Sequence, residues 1–159
     1  MEELETKKYA GIDLGRTSVQ FSIYREGQEE MTEESFLLSE EEQKEYIESG
    51  MRQVERYMET GGLRWPDFQA VHFSMEDASE ENRSKLKSAV SEELRKLHGV
   101  KVITHFRAFA EYVFHQERIM WDRNTLLLDY HDNQLSYVLI DQIRRSKQKA
   151  YGHCSKELI

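Results

Sequence analysis

An aspartate between two glycines stands near the start of the chain, in the stretch YAGIDLGRTSVQFSIY. Asp13 follows an apolar run and is flanked by Gly11 and Gly15. Arg16 and Thr17 come next. Glycines in a turn between strands leave backbone N–H groups open to phosphate oxygens, and a carboxylate at a strand end can hold a divalent cation through water. The pattern indicates a phosphate-binding turn, or else a plain hairpin whose aspartate caps its own backbone.

A second strand, aspartate and polar turn occur in the stretch LLLDYHDNQLSYVLID, where Asp129 takes the position of Asp13. Two such turns facing each other would contact opposite sides of a polyphosphate. The alternative is again a hairpin in which the aspartate only caps backbone groups. The residue types alone leave both interpretations open.

The composition is that of one acidic, globular domain. The chain has 159 residues, of which 38% are hydrophobic and 33% charged, and its formal net charge is −8. This charge argues against nucleic acid as a partner, because phosphate backbones bind basic surfaces. No apolar run reaches the roughly 20 residues of a membrane span, and the first residues do not resemble a signal peptide. Together with the single cysteine, Cys154, these features predict a cytoplasmic protein without a membrane partner.

Apolar runs, alternating with polar residues in TSVQFSIYR, predict the strands that position both turns. KKYAGIDLG, TSVQFSIYR and MTEESFLL read as three consecutive antiparallel strands, FQAVHFSM and VKVITH as two later ones, and NTLLLDYHDNQLSYVLID as a final hairpin. Helices between the later strands require crossover connections, which favour parallel pairing. The expected class is therefore α/β, with a mixed sheet flanked by helices.

Helix signals occupy the segments between these strands. Ser39 and Glu42 form a capping box that opens a helix, and Gly61 with Gly62 ends it. A second helix is expected from about residue 77 to 98, with Gly99 as its C-terminal cap. FRAFAEYVFHQ is expected to form a short aromatic helix.

The first turn resembles a known phosphate motif. GIDLGRT is similar to G-I-D-L-G-T-T, the first phosphate motif of the actin, sugar-kinase and heat-shock-chaperone (ASKHA) ATPase superfamily, and differs from it only at Arg16. Asp129 matches the aspartate of the second phosphate motif. The connecting helix of the superfamily resembles VITHFRAFAEYVFHQ, where Ala108, Ala110 and Tyr112 fit its character.

This resemblance implies a fold and a ligand. The fold would be the ribonuclease-H-like first half of the superfamily, with a mixed five-stranded sheet that begins as an antiparallel meander. The ligand would be a nucleotide, with ATP and magnesium as the cofactors if the chain binds any. The residues around the phosphates would be Gly11, Asp13, Gly15, Arg16, Thr17 and Asp129. Asp13 would contact the magnesium ion through water.

The resemblance also divides the chain. Residues 1–122 would form the ribonuclease-H-like N-terminal lobe, and residues 123–159 would begin a second lobe with a hairpin and a basic tail. Because the superfamily holds nucleotide between two similar halves, the chain would be an N-terminal half without a complete cleft.

Three departures from the motifs imply that hydrolysis is weak or absent. Arg16 replaces a small hydroxyl residue, the turn at residues 130–133 contains no glycine, and His105 stands where the superfamily places a water-orienting glutamate or glutamine. We therefore assign no catalytic residue. Nucleotide would serve binding or conformational switching, and a protein partner is expected.

Two other functions are compatible with the same residues. A metal-dependent nuclease of the ribonuclease-H type would use carboxylates at strand ends, for which Asp13, Glu76 and Asp129 or Asp132 are candidates. A non-catalytic interaction scaffold would instead dock its partner on the glutamate-rich segment at residues 26–59 or on the basic tail.

Overall fold

The computed structural model describes residues 6–114, 125–131, 134–140 and 156–157. The chain divides into two compact units, Met1–His105 and Phe106–Ile159. Among the described residues, no helix combines the length and the apolar character that crossing a bilayer requires.

A mixed five-stranded sheet forms the centre of the first unit. Its strands are β1 (Lys8–Leu14), β2 (Ser18–Arg25), β3 (Thr32–Leu37), β4 (Phe68–Met75) and β5 (Val100–Thr104). They lie in the order β3-β2-β1-β4-β5. The pairs β1–β2 and β2–β3 are antiparallel, whereas β1–β4 and β4–β5 are parallel. The predicted meander and the predicted mixed sheet are both confirmed.

One face of this sheet carries the hydrophobic core. Ile12 of β1 lies opposite Phe21 of β2 and Phe73 of β4, and all three side chains are buried. Because successive side chains of a strand point to opposite faces, Gly11 and Asp13 belong to the other face. The alternation of side chains along β1 therefore puts Ile12 in the core and Asp13 on the opposite face of the sheet.

Two helices, α1 (Glu40–Gln43) and α2 (Tyr46–Thr60), follow the meander. The capping box is confirmed: Ser39 Oγ accepts from the Glu42 N–H at 3.2 Å, and Glu42 Oε2 accepts from the Ser39 N–H at 2.8 Å. The expected single helix is nevertheless interrupted at residues 44–45. α2 buries an apolar stripe in the core and ends at the predicted glycines, where Gly62 adopts a φ of 68°.

A carboxyl group of α2 lies beside the core. The Oε1 atom of Glu55 is buried and, within the described ranges, accepts no hydrogen bond. Burial raises the pKa of Glu55 above its usual value, while hydrogen bonds from the Trp65 side chain and the Ser91 backbone act in the opposite direction. The folded state therefore favours the protonated form of this carboxyl group.

This raised pKa predicts a specific pH dependence of stability. A carboxyl group whose pKa is raised on folding stabilises the protein below its ordinary pKa of 4.5, and this contribution is lost as the pH rises through the raised value. Glu55→Gln should therefore gain stability over the wild type as the pH rises from 4 to 8. Urea denaturation at several pH values measures the difference. Glu26→Gln, at an exposed position, is the control, and a parallel pH trend in both variants would contradict the assignment.

The second expected helix is two helices, α3 (Glu80–Ala89) and α4 (Glu92–Arg95). Val90 leaves the helical conformation with a ψ of 148°, and Ser91 Oγ accepts from the Leu94 N–H at 3.4 Å to begin α4. The prediction of one continuous helix was wrong, because a serine that can cap a new helix offers the backbone an alternative to continuing the old one.

Gly99 has a different role from the predicted helix cap. The structure places it beside β4, where its carbonyl accepts from the Val71 N–H at 3.0 Å. A Cβ atom added to Gly99 would lie 2.7 Å from the Gln69 carbonyl oxygen and 3.0 Å from the Ala70 Cα atom. The absence of a side chain thus permits close backbone contact just before β5.

The second unit contains a three-stranded sheet. Its strands are β6 (Thr125–His131), β7 (Gln134–Ile140) and β8 (Lys156–Glu157), and both neighbouring pairs are antiparallel. The helix α5 (His105–Phe114) precedes them in the chain. The predicted final hairpin and the predicted aromatic helix are confirmed.

Candidate functional site

Asp13 lies near the carboxyl end of β1, on the sheet face opposite the core. Since β1, β4 and β5 are parallel, their carboxyl ends meet at the same edge of the sheet. In register, Asp13 lies beside Ser74 of β4, and His105 directly follows β5. We call this region the carboxyl edge and define it by Asp13, Arg16, Ser74, Glu76 and His105.

Both neighbours contact the same oxygen atom of Asp13. Ser74 Oγ donates a hydrogen bond to Asp13 Oδ1 at 2.7 Å, and His105 Nδ1 lies 3.0 Å from that oxygen. The Asp13 side chain is 17% exposed and that of His105 is 24% exposed. A partly buried carboxylate gains strongly from such charge-assisted contacts. Two neighbouring elements therefore fix its orientation.

The turn between β1 and β2 presents polar side chains to solvent. Gly15 is buried and its N–H donates to the Ser18 carbonyl oxygen at 3.0 Å, while Arg16 and Thr17 are exposed. The Thr17 carbonyl oxygen accepts from the Leu38 N–H at 2.8 Å. Backbone hydrogen bonds thus anchor the turn at Gly15 and Thr17.

An ion pair connects this turn to β4. Arg16 Nε lies 3.0 Å from Glu76 Oε2, and the two side chains are 49% and 15% exposed. Glu76 directly follows β4. The guanidinium group is therefore held at the carboxyl edge, and Glu76 offsets its charge.

The sequence pattern points to some of these residues and not to others. Asp13 and Arg16 were predicted as phosphate contacts, and Glu76 was considered only as a nuclease ligand. Ser74 was not considered. The available signal was its position, because Ser74 and Glu76 stand at the end of a strand that the pattern marks as buried, where parallel strands bring polar residues together.

The carboxyl edge does not fit a metal ion coordinated directly by several side chains. Across the part of the chain that the structure describes, no group of three or more histidine, cysteine, aspartate or glutamate side chains could hold such an ion. Of the nuclease carboxylates, Asp13 and Glu76 thus belong to no such group, Asp129 lies in the second unit, and Asp132 lies outside the described residues. A magnesium ion held at Asp13 through water stays a prediction.

Asp129, the predicted opposing carboxylate, belongs to the second unit. It lies in β6 opposite Ser136 of β7 and is partly buried. Its role in phosphate binding stays a prediction. The basic tail, apart from Lys156 and Glu157 of β8, lies outside the described residues.

Comparison with known families identifies the family of the chain. Residues 22–158 match the family described as "Family of unknown function (DUF5716) C-terminal". The chain belongs to this DUF5716 family. No curated protein sequence matches the chain.

Solved structures with the same architecture identify the fold of the DUF5716 chain. An exopolyphosphatase from Cytophaga hutchinsonii superposes with a TM-score of 0.58 at 13% identity, covering 96% of this chain and 51% of that one. YeaZ from Pseudomonas aeruginosa has a TM-score of 0.54 at 8% identity, covering 95% and 68%. The activator of the 2-hydroxyisocaproyl-CoA dehydratase from Clostridium difficile, with bound ADPNP, has a TM-score of 0.52 at 16% identity, covering 92% and 46%.

These similarities show the fold alone. The DUF5716 chain has the actin-like ATPase fold, with the ribonuclease-H-like sheet of its first half, as the resemblance of GIDLGRT implied. The chain spans about half the length of the exopolyphosphatase and of the dehydratase activator. The activities named for those proteins belong to them.

Proposed function

We propose that the carboxyl edge binds the phosphate groups of a nucleotide or polyphosphate and hydrolyses them weakly or not at all. One observation carries the proposal: Arg16 and Thr17 are exposed residues of the turn that follows β1, at the shared end of the parallel strands. A guanidinium group and a hydroxyl group both donate hydrogen bonds to phosphate oxygens.

The ion pair between Arg16 and Glu76 would weaken phosphate binding at this edge. A phosphate group would compete with Glu76 for Arg16, whose planar guanidinium group matches two phosphate oxygens at once. Asp13 and Glu76 would repel the same anion, so the imidazole group of His105 beside Asp13 reduces this repulsion whenever it is protonated. We therefore expect weak, salt-sensitive binding.

The absence of efficient hydrolysis is supported by the contacts of Asp13. The Oδ1 atom of its carboxylate is held by Ser74 and His105, and His105 also stands where the superfamily places its water-orienting residue. Among the structural neighbours, one is named an exopolyphosphatase and another holds ADPNP, which makes polyphosphates and adenine nucleotides the ligands to test first.

The wider arrangement is also part of this proposal. Residues 1–122 would act as the phosphate-binding lobe, and the segment at 123–159 would begin a second lobe that contributes Asp129. The protein would be cytoplasmic and would act through an unidentified protein partner, with nucleotide as the signal. ATP with magnesium would be the physiological cofactor, and Asp13 would contact the magnesium through water.

The decisive variant is Arg16→Ala. We expect isothermal titration calorimetry with ATP and with pyrophosphate to detect binding to the wild type, and the variant to bind about tenfold more weakly because a charge-assisted contact is lost. Arg64→Ala is the matched control, since Arg64 is also an exposed arginine paired with a glutamate, at 2.8 Å from Glu93. Its affinity should equal that of the wild type.

Two outcomes would overturn the proposal. Either no heat is detected at millimolar ligand, or both arginine variants weaken binding equally. The magnesium contact is tested separately, by asking whether magnesium strengthens ATP binding in the wild type but not in Asp13→Asn. A phosphate-release assay that detects sustained turnover would contradict the absence of efficient hydrolysis.

A further inference from the structure

An apolar cavity of about 290 Å³ lies between α3, α4 and the strands β4 and β5. Its volume is just below the roughly 300–1,000 Å³ that is typical of small-molecule sites, so its ligand should be small. Its walls consist of aromatic and aliphatic side chains: Phe73, Leu86, Val90, Leu94, Val100 and Val102. None of the residues of the carboxyl edge lines it.

The break between α3 and α4 positions several of the apolar side chains that line the cavity. Leu86 and Leu94 are buried on α3 and α4, and Val90 lies between the helices with an extended backbone. All three side chains line the cavity together with β5, which is the last strand in the sheet order. The apolar wall of the cavity thus consists of buried and partly buried residues of the first unit.

Three exposed cations complete the lining, namely Arg83, Lys87 and Arg95. Arg83 Nε donates to the Ala78 carbonyl oxygen at 2.7 Å, and Arg95 Nη2 lies 3.5 Å from the Ser88 carbonyl oxygen. Across the described ranges, none of the three forms an ion pair with a carboxylate.

Two carboxylates of the same helices pair with other cations. Glu81 pairs with Lys85 at 3.2 Å, and Glu93 pairs with Arg64 at 2.8 Å. A cluster of three cations without carboxylate partners is unexpected in a chain with a net charge of −8. An apolar cavity with cations at its margin is complementary to a ligand that has an apolar body and an anionic end.

We propose that this cavity binds a small anionic amphiphile, such as a medium-chain carboxylate. Its hydrocarbon chain would lie against Phe73, Leu94 and Val102, which would remove its apolar surface from water. Its carboxylate would pair with Lys87 and the two arginines. This site goes beyond the proposed phosphate site and depends on none of its residues.

Sodium octanoate is a suitable probe. We expect saturable shifts of the methyl NMR signals of Leu94, Val100 and Val102 on titration of the full chain. Octanol has the same hydrocarbon chain without the charge, and we expect it to bind about tenfold more weakly because it forms no ion pair. An acidic peptide, the competing kind of occupant, should not displace octanoate.

The lysines of α3 provide a matched pair of variants. Lys87→Ala should weaken octanoate binding about fivefold, the size expected for one partly exposed ion pair. Lys85→Ala removes an exposed lysine that pairs with Glu81 and should leave the affinity unchanged. The proposal is overturned if millimolar octanoate shifts no signal around the cavity, if octanol binds equally well, if an acidic peptide displaces octanoate, or if the two lysine variants behave alike.

Discussion

Replacing Gly99 with alanine is expected to lower the free energy of unfolding by about 2 kcal/mol, because the new Cβ atom would overpack a contact between two backbone segments. The atoms it would meet are the Gln69 carbonyl oxygen at 2.7 Å and the Ala70 Cα atom at 3.0 Å. Neither can move aside as the end of a flexible side chain could. Urea denaturation followed by circular dichroism measures the loss.

Gly61→Ala is the control for this substitution. Gly61 ends α2 with a φ of −85°, and an added Cβ atom would lie no closer than 3.4 Å to the Tyr57 carbonyl oxygen. This variant should stay within about 0.5 kcal/mol of the wild type. Equal stability of the two variants would show that the chain near Gly99 lies farther from β4 than described.

The second large effect concerns the contacts of Asp13. Asp13→Ala should lower the free energy of unfolding by about 2 kcal/mol, because a charge-assisted hydrogen bond is lost and the contact with His105 disappears. Ser74→Ala should cost about 1 kcal/mol. The double variant should lose less than the sum of the two by about 1 kcal/mol, since both substitutions remove the same bond.

A serine two strands away provides the control cycle. Ser35 of β3 lies in the same row of the sheet, beyond Gln20 of β2, at about 10 Å from Asp13 given the usual strand spacing. Its alanine variant should combine additively with Asp13→Ala. Coupling of similar size in both cycles would mean that Asp13 acts through the whole sheet and not through Ser74.

A conservative substitution at position 13 separates a structural from a functional role of Asp13. Asp13→Asn keeps the shape of the side chain and an oxygen acceptor. If it lowers stability but leaves phosphate affinity unchanged, Asp13 has only a structural role, through its contacts with Ser74 and His105. A loss of affinity in a stably folded variant would support the proposed magnesium or phosphate contact.

Local patterns were sufficient for most of the elements. The apolar content of FQAVHFSM predicts a buried strand, with the bounds observed for β4. Val71, Phe73 and Met75 are buried, whereas Gln69 and His72 are exposed, since successive side chains of a strand point to opposite faces. The capping box at Ser39 and the glycines at the end of α2 were also predicted from local sequence. An unpaired N–H group at the start of a helix needs an acceptor side chain close in sequence, and the left-handed conformation after a helix favours glycine. The helix interruptions were missed, since local propensity hardly separates a continued helix from a newly capped one.

The candidate site shows the complementary limit. The sequence shows that an aspartate, an arginine and a threonine share one turn after a buried strand, and it carries the motif that implied the actin-like ATPase fold. It does not show that Asp13 contacts Ser74, 61 residues away, and His105, 92 residues away, or that Arg16 pairs with Glu76. These contacts arise when parallel strands adopt one register and bring their carboxyl ends to a common edge, which depends on the packing of the whole sheet.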